Sequence, residues 1–473
     1  MLFTTGKFWV FFVIVFFIYW TIARRRRLSV LFILLASYYF YALWNPKFVL
    51  LLFAIASIDF LTARGIDSSQ TMFVRRLLLY TSVVIDLGTL IVFKYFNFFS
   101  ASTTSILALL HWQARSLLIE DLVIPLGLSF VTFRSLSYVI DVYRKTQPAT
   151  SRYLDYLAFV AFFPTLVAGP VVRAKELLPQ FEKPNVTSEQ GIDGLFLILL
   201  GLIKKIAIAD MIGMNLVDRV FDQPQLYSSV ETLAAIYGYA LQIYCDFSGY
   251  SDIAIGCALL LGIQLPVNFN APYQAQNLRD FWERWHITLS TWLFDYVYIS
   301  IGGLRKRRFN LYRNLVITFL IGGLWHGAAW TFVAWGALHG LGLSVSHWWE
   351  ARRRKRGKAS SPRWWVKSFC LLATFHFVCL TWIVFRSDSL EQALNVVRRL
   401  GALQFSIANL PFSLLLLLGI GYLSHWLPNK LELLIREVWG WLPSPAQAVV
   451  ILSVACGLYY VAGAEVQFIY GNF

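Results

Sequence analysis

Apolar segments of membrane-spanning length recur along the whole chain, separated by short polar or basic connections. A helix that rises about 1.5 Å per residue needs about 20 apolar residues to cross a bilayer. The pattern predicts spans near residues 8–23, 28–44, 48–63, 77–93, 122–142, 154–171, 195–209, 232–260, 311–347, 366–385, 411–425 and 446–461. Residues 311–347 are long enough for two helices, or for one helix and a re-entrant piece. We therefore predict an all-α, polytopic membrane protein of about ten to thirteen membrane helices.

Two stretches are neither fully polar nor clearly spanning. Residues 164–190 are rich in proline, and residues 264–308 are aromatic, polar and amphipathic together. Irregular backbone at membrane depth is tolerated only where protein or a wet cavity encloses it. We expect re-entrant or interfacial elements there. The whole chain, 1–473, is predicted to form one domain, with amino-terminal helices at 1–150, a core at 151–390 and carboxy-terminal helices at 391–473.

The composition supports a membrane protein and argues against several other classes. Hydrophobic residues make up 58% of the 473 residues and charged residues only 14%, whereas soluble domains are about one quarter charged. This argues against a soluble enzyme, a disordered chain and a fibrous protein. It also argues against an outer-membrane barrel, because barrel strands alternate apolar and polar residues. The five scattered cysteines indicate packed hydrophobes and no disulfide framework.

Most of the net charge of +15 comes from three basic runs, at residues 24–27, 305–308 and 352–358. Nucleic-acid binding is one interpretation of such runs. The simpler interpretation is that they are cytoplasmic loops, because each run borders an apolar segment. The first run follows the first apolar segment, which is the reverse of the order in a cleavable signal peptide. We therefore predict an amino terminus outside the cytoplasm and no nucleic-acid partner.

The densest polar cluster lies at residues 277–290. On one continuous helix, Glu283, His286 and Ser290 would share a face, with Arg279 one turn earlier. Such a face would look into the protein or into water; an interfacial amphipathic helix is the alternative. The spacing of Glu283 and His286 also matches half of a di-iron carboxylate site. No second Glu-x-x-His is present in the sequence, so we predict no metal.

Two further clusters carry polar groups in apolar surroundings. His326 is flanked by glycines, which allow another backbone or a thin ligand to approach closely. Histidine also suits proton transfer near neutral pH. If the helix is continuous, His339 lies thirteen residues on and nearly on the opposite face, so it is not expected to share a site.

The other cluster contains Asp246, Ser248 and Asp252. The two carboxylates are too far apart around a helix to form a simple acid/base pair. They must be hydrogen-bonded or ion-paired if buried. We interpret the cluster as a structural network, with Arg279 and Arg284 as expected partners.

These residues alone leave three functions open. An acyltransfer enzyme, a transporter with an intramembrane histidine relay and a scaffold of an export complex all fit. The chain has no GxxxxGK[ST], GxSxG, HExxH or GxGxxG motif. A transporter would favour internal repeats, and none is visible.

The clusters resemble the membrane-bound O-acyltransferase (MBOAT) family, and most closely its bacterial branch that contains the alginate O-acetyltransferase membrane subunit. The resemblance covers about residues 30–390 in order. Its matching segments are residues 163–173, 246–252, 279–292, 296–303, 322–326 and 382–388. It implies an acetyltransferase of the acyltransferase class, with helices around a central tunnel.

The resemblance also implies residue roles. The family's near-invariant histidine falls on His326, the expected catalytic base, and its second functional position falls on His286. Glu283 stands where the alginate-type pattern commonly has a basic residue, which argues against a required catalytic role for it. We expect tunnel or support roles for Trp325, Trp285, Arg284, Ser290, Asp246, Ser248 and Asp252, and donor binding by Arg279 and Lys205.

The implied reaction moves an acetyl group from a cytoplasmic thioester across the membrane, for O-acetylation of an extracytoplasmic polymer. The polymer would be alginate, another exopolysaccharide or a cell-wall polymer. Acetyl-CoA or an acyl-carrier thioester would serve as donor substrate, with no permanently bound cofactor. The expected partners are an extracytoplasmic polysaccharide acetyltransferase and membrane lipid, and the expected location is the bacterial inner membrane. D-alanyl transfer from a carrier protein and a transporter or export subunit are the alternatives.

Overall fold

The computed structural model describes residues 3–112, 117–119, 122–182, 186–303, 308–355 and 363–461. Within these ranges the chain forms helices and turns and no β-strand. The prediction of an all-α fold is confirmed. The basic runs at 305–308 and 352–358 lie partly outside the described residues.

The first half of the chain contains helices α1 to α10. Their bounds are α1 Gly6–Ile22, α2 Arg26–Ala42, α3 Lys47–Ser68, α4 Met72–Leu90, α5 Phe96–Leu109, α6 Leu128–Tyr143, α7 Tyr153–Ala161, α8 Ala174–Leu177, α9 Ser188–Leu202 and α10 Asp218–Asp222.

The second half contains helices α11 to α20. Their bounds are α11 Ser229–Leu260, α12 Leu278–Arg284, α13 Ile287–Trp292, α14 Arg308–His326, α15 Trp330–Lys355, α16 Trp364–Arg386, α17 Leu390–Gly401, α18 Phe412–His425, α19 Asn429–Trp441 and α20 Ser444–Val461.

Tighter and wider helical turns connect or extend these elements. The π-helical segments are Ile91–Tyr95, Ile203–Asp210, Gly213–Val217 and Leu293–Tyr298, and the 3-10 turns are Phe163–Thr165, Leu178–Phe181, Pro224–Leu226 and Pro272–Gln274.

Several helices are long and apolar enough to cross a membrane. Among the described residues, four segments satisfy both conditions: Lys47–Ser68, Met72–Leu109, Trp364–Arg386 and Ser444–Val461. Helices α1 and α18 are apolar but shorter. The predicted span at 311–347 forms two helices, α14 and α15. The predicted span at 154–171 is helical only as far as Ala161, because the proline-containing stretch that follows adopts 3-10 and irregular backbone. The total of ten to thirteen spans stays a prediction.

The chain divides into two compact units. Unit 1 comprises Met1–Gly194 and Ala254–Pro266, and unit 2 comprises Leu195–Ile253 and Val267–Phe473. In unit 1, α3 packs against α4, α6 and α7. The buried Arg134 donates to the backbone carbonyls of Phe159 and Val160 at 3.4 and 3.1 Å, where α7 gives way to irregular chain. Its guanidinium therefore satisfies carbonyls that the broken helix leaves without partners.

In unit 2, the antiparallel helices α14 and α15 approach each other closely because glycines face the contact. A Cβ atom on Gly323 would lie 2.2 Å from the carbonyl oxygen of Phe332. A Cβ atom on Gly336 would lie 2.3 Å from the carbonyl oxygen of Phe319. Small residues allow such backbone contact between membrane helices. The contact fixes His326, the last residue of α14, against the start of α15.

We predict that Gly336→Ala destabilises the protein by roughly 1–3 kcal/mol, because the added methyl group would overlap a backbone carbonyl that cannot rotate away. Gly419→Ala is the matched control: Gly419 lies within α18, and a Cβ atom there would meet nothing within 4 Å. Thermal unfolding of the two purified variants in detergent provides the measurement. Equal midpoints for both variants would contradict the proposed close contact.

Candidate active site

His286 lies at a break between two short helices. Its backbone φ of 42° is in the left-handed region, so α12 ends at Arg284 and α13 begins at Ile287. The His286 residue is 0% exposed, whereas the Glu283 side chain is 60% exposed and pairs with Arg279. The expectation that Glu283, His286 and Ser290 share one helical face is therefore wrong, because the helix is not continuous.

Asn268 holds His286 through both backbone and side chain. The amide of Ile287 donates to the Asn268 carbonyl oxygen at 3.0 Å. Nδ1 of His286 lies 3.0 Å from Oδ1 of Asn268, and the Thr288 hydroxyl donates to that same Oδ1 at 2.9 Å. Nδ2 of Asn268 in turn donates to the Ser251 hydroxyl at 3.2 Å. All of these residues belong to unit 2.

This network determines the tautomer of His286. The backbone amide of Thr288 also points at Oδ1 of Asn268, so that atom must be the carbonyl oxygen of the side-chain amide, which only accepts. Nδ1 of His286 therefore carries the proton and donates it. In the neutral ring, Nε2 then presents a lone pair.

The free nitrogen of His286 is a buried proton acceptor. Nε2 has no hydrogen-bond partner among the described residues. His286 lies outside the helices of spanning length, and burial lowers its pKa to about 3 because desolvation penalises the charged ring. A neutral imidazole whose other nitrogen is held by an amide presents a fixed hydrogen-bond acceptor to a bound hydroxyl, and its low pKa keeps that nitrogen unprotonated.

His326 is the second buried histidine of this site. It ends α14 and is 3% exposed. Its ring meets Trp335 and Phe385 edge-to-face, with centroids 5.1 and 5.2 Å apart. Trp325 contacts both histidines, at 4.9 Å from His326 and 6.0 Å from His286. The structure therefore brings the two predicted histidines into contact with one indole.

Tryptophans enclose the two histidines. Trp382 of α16 lies 6.0 Å from Trp335 and 5.1 Å from Trp285, measured between ring centroids. All three of these indoles are nearly inaccessible to solvent. Their bulk excludes water and lowers the local dielectric, which strengthens hydrogen bonds and charge stabilisation inside the site.

His339 lies closer to the site than the continuous-helix argument predicted. Residues 327–329 interrupt the helix, so the phase calculated from His326 does not apply. Trp335 contacts both His326 and His339. Nδ1 of His339 accepts from the Trp282 indole at 3.3 Å, and Nε2 lies 2.9 Å from the Thr381 hydroxyl. Both nitrogens are engaged, so His339 supports the wall and is not a free base.

The acidic residues of α11 pair with lysines. Lys205 lies 2.7 Å from both Asp246 and Asp210, and Lys204 lies 2.7 Å from Asp252. Asp246 and the Lys205 side chain are each only 1% exposed. The burial of Lys205 in two ion pairs argues against its expected role in donor binding.

The predicted arginine partners of Asp246 and Asp252 are wrong. Arg279 pairs with Glu283 at 2.8 Å, and Arg284 pairs with Asp280 at 2.6 Å, each one turn away on α12. Local pairs of this kind form wherever the helix spacing allows them.

The remaining predicted support residues occupy structural positions. The Ser290 hydroxyl donates to the carbonyl oxygen of Trp285 at 3.2 Å, across the helix break. Arg284 also donates to the carbonyl oxygen of Asn270 at 3.3 Å, beside the segment that holds His286. Ser248 is buried on α11. The first two contacts brace the backbone around His286.

A cavity of about 610 Å³ borders the short helices α12 and α13. Apolar side chains of α14 and α15, including Leu311, Leu315 and Leu343, form part of its wall, and Arg279, Ser290 and Thr291 also line it. Its size lies within the range of small-molecule sites, about 300–1,000 Å³. Trp282 separates the cavity from His339.

Sequence reasoning missed three residues of the site: Asn268, Trp335 and Trp382. Asn268 precedes His286 by 18 residues in an irregular segment, so no helical spacing links them. The tryptophans stand among many aromatic residues in apolar helices. The available signal for Asn268 was a polar amide between apolar neighbours in the re-entrant stretch.

A sequence model of the membrane-bound O-acyltransferase family matches residues 90–385. This range contains Asn268, His286 and His326, with the aromatic wall around them.

Curated relatives extend the similarity. The chain is 38% identical over 390 residues to the peptidoglycan O-acetyltransferase of Helicobacter pylori, covering 77% of this chain and 72% of the relative. It is 41% identical over 360 residues to the probable alginate O-acetylase AlgI of Pseudomonas aeruginosa, covering 76% and 67%. It is 30% identical over 285 residues to the teichoic acid D-alanyltransferase of Streptococcus thermophilus, covering 55% and 68%.

We predict that Asn268→Ala slows turnover at least about tenfold, because the His286 ring loses the acceptor that fixes its tautomer and orientation. Asn270→Ala is the matched control, since its side chain is exposed and no hydrogen bond of that side chain is seen. Steady-state rates of acyl transfer by both purified variants provide the measurement. Wild-type turnover in Asn268→Ala would show that orientation of His286 by the amide is not needed for the reaction.

Proposed function

The chain belongs to the membrane-bound O-acyltransferase family, and we propose that it moves an acetyl group from a cytoplasmic thioester donor to serve O-acetylation of an extracytoplasmic polysaccharide. Family membership makes it a membrane acyltransferase. The observation that supports the finer proposal best is the pair of buried histidines that both contact Trp325, with the Nε2 lone pair of His286 free.

The proposed chemistry is direct attack of a hydroxyl on the thioester carbonyl. His326 takes the hydroxyl proton as the new C–O bond forms, and returns it to the thiolate as the C–S bond breaks. His286 cannot stabilise the oxyanion through Nδ1, because that N–H already donates to Asn268. Its Nε2 lone pair instead accepts a hydrogen bond from a second hydroxyl of the acceptor and so orients the acceptor, because the single proton of the attacking hydroxyl goes to His326. General-base catalysis of this kind contributes about 10²–10⁴-fold.

We further propose that the donor enters at the cavity beside α12 and α13. Helix α14 begins next to one basic run and α15 ends at another, which supports a cytoplasmic location for this side. The apolar wall of the cavity suits the arm of an acyl thioester. Arg279 on its rim suits a donor phosphate, although it must first leave Glu283. Acetyl-CoA is the simplest donor of this type.

Acetyl transfer to a polysaccharide is the function that the relatives favour. The two acetyl-transferring relatives are 38% and 41% identical over about three quarters of the chain, whereas the D-alanyl-transferring relative matches only 55% of it. We propose a multi-pass protein of the bacterial inner membrane with its amino terminus outside. An extracytoplasmic partner that completes transfer to alginate, another exopolysaccharide or a cell-wall polymer is part of this proposal.

The experiment that tests the proposal supplies radiolabelled acetyl-CoA to the purified protein, with candidate hydroxyl acceptors. We expect thioester loss and free CoA release by the wild type, no detectable release by His326→Ala, and strongly reduced release by His286→Ala. The reason is that His326→Ala removes the imidazole that takes the transferred proton, whereas His286→Ala removes the imidazole that orients the acceptor. Glu283→Gln is expected to have a much smaller effect, because its side chain is exposed.

His376→Ala is the matched control, since this histidine is exposed and pairs with Tyr237 away from the site. A well-folded His326→Ala variant that releases CoA at the wild-type rate would disprove the base assignment. If the wild type releases no CoA from acetyl-CoA but transfers the acyl group from an acyl-carrier thioester, the donor is the carrier thioester and not acetyl-CoA.

We predict that Thr291→Trp raises the KM for the thioester donor about tenfold or more while kcat changes little, because the indole fills the cavity without touching either histidine. Ser368→Trp, at an exposed position on α16 outside the cavity, is the control. Donor saturation curves of the two variants provide the measurement. An unchanged KM in Thr291→Trp would place the donor elsewhere.

A further inference from the structure

A histidine outside the matched family range contacts the segment that holds the active site. His425 is the last residue of α18, about 40 residues beyond the matched range, which ends at residue 385. It is 6% exposed. Its ring meets Tyr244 edge-to-face at 4.6 Å and lies 5.2 Å from Tyr273, measured between centroids.

The hydrogen bond between His425 and Tyr273 has a known donor and acceptor. The backbone amide of Tyr273 donates to Nε2 of His425 at 3.2 Å. Because a backbone amide only donates, Nε2 must be the unprotonated nitrogen and Nδ1 carries the proton. A second contact fixes the same junction: the Gln274 side-chain amide donates to the carbonyl oxygen of His425 at 2.9 Å.

The choice of histidine at this position is not explained by packing alone. Nδ1 of His425 is buried and has no hydrogen-bond partner among the described residues. An aromatic hydrocarbon side chain would fill the same space without leaving a buried polar nitrogen unpaired. The feature that only the imidazole supplies is the acceptor for the Tyr273 amide.

Tyr273 is the central anchor of segment 267–277, which is the last part of the connection between α11 and α12. Its hydroxyl donates to the Ala240 carbonyl oxygen on α11, and the Trp382 indole donates to the same hydroxyl at 3.3 Å. Apart from one 3-10 turn, this segment has no regular structure. Its position therefore depends on such anchors, and His425 supplies the one that holds the Tyr273 backbone.

The same segment contains the residues that hold His286. Asn268 lies five residues before Tyr273 and accepts the Nδ1 proton of His286. Asn270 donates its backbone amide to the Arg284 carbonyl oxygen at 3.0 Å, two residues before His286. A shift of the Tyr273 backbone is therefore transmitted to Asn268 over a short stretch of chain, and from there to the imidazole.

We propose that His425 is a positioning residue, which anchors segment 267–277 and thereby keeps Asn268 and His286 in their active geometry. The proposal rests on the acyltransfer function proposed above. It gives the carboxy-terminal helix α18 a part in catalysis, although no residue of α18 belongs to the matched family range.

Four substitutions separate this role from packing. His425→Gln places an amide oxygen near the position of Nε2, whereas the shorter His425→Asn places it near Nδ1. His425→Phe keeps a ring but has no acceptor. Tyr422→Phe is the control on the same helix, because it removes only the hydrogen bond to the Tyr237 carbonyl oxygen.

We expect His425→Phe and His425→Asn to lower kcat at least tenfold, with the donor KM and the thermal midpoint nearly unchanged. His425→Gln and Tyr422→Phe should retain most of the activity. In the double variant Asn268→Ala/His425→Phe, the loss should not exceed that of Asn268→Ala alone, because both changes act through one element. If His425→Phe does not fold, the comparison of His425→Asn with His425→Gln still tests whether the acceptor at the position of Nε2 is required.

Hydrogen exchange in the same variants supplies a readout that does not require activity. We expect faster amide exchange over residues 267–288 in His425→Phe and His425→Asn, and native exchange in His425→Gln. Native exchange in all three variants would overturn the positioning role whatever the activity shows. Wild-type kcat in His425→Asn, or equal losses in His425→Asn and His425→Gln, would also overturn it. Failure of the proposed function itself would appear separately, as a wild type without His326-dependent transfer.

Discussion

The hydrogen bond between Asn268 and His286 is the interaction on which the rest of the site depends. A buried neutral imidazole orients a bound hydroxyl only if one nitrogen is free to accept and the other is held, and this bond decides which nitrogen of His286 is free. The left-handed backbone of His286 ends one short helix and begins the next, which turns the ring inward. Without this break, His286 would lie one helical turn after Glu283, on the same exposed face of the helix.

The helices around the site stabilise this arrangement of His286 and exclude water from it. Close contact of α14 and α15 at Gly323 and Gly336 sets the position of His326, and the tryptophan wall excludes water from both histidines. Polar groups that must remain at this depth are paired locally, as Asp246 is with Lys205. An unpaired buried charge would be costly. The ion pairs remove that cost, and α11 can therefore pack beside His286.

Much of the fold was predictable, because hydropathy and helix length are local properties of the chain. The pattern located most long helices within a few residues, and two helices were one of the two alternatives for residues 311–347. The chain's resemblance to the acyltransferase family was also evident from its motifs, and the comparisons confirmed it. Two errors occurred at helix breaks, because helical phase was extended through His286 and past His326, where the backbone turns. The arginine partners expected for Asp246 and Asp252 were also wrong, because lysines pair with both carboxylates.

Sequence by itself therefore determined the class of the protein and the family, and it singled out the two histidines that the structure brings together, since apolar length and short motifs do not depend on distant contacts. Only the tertiary structure decided which partners these residues have. Asn268 and His425 lie 18 and 139 positions from His286 along the chain, and no periodicity relates residues that separate elements bring together. Hydrogen-bond direction, and with it the tautomer of each histidine, exists only once those partners are in place.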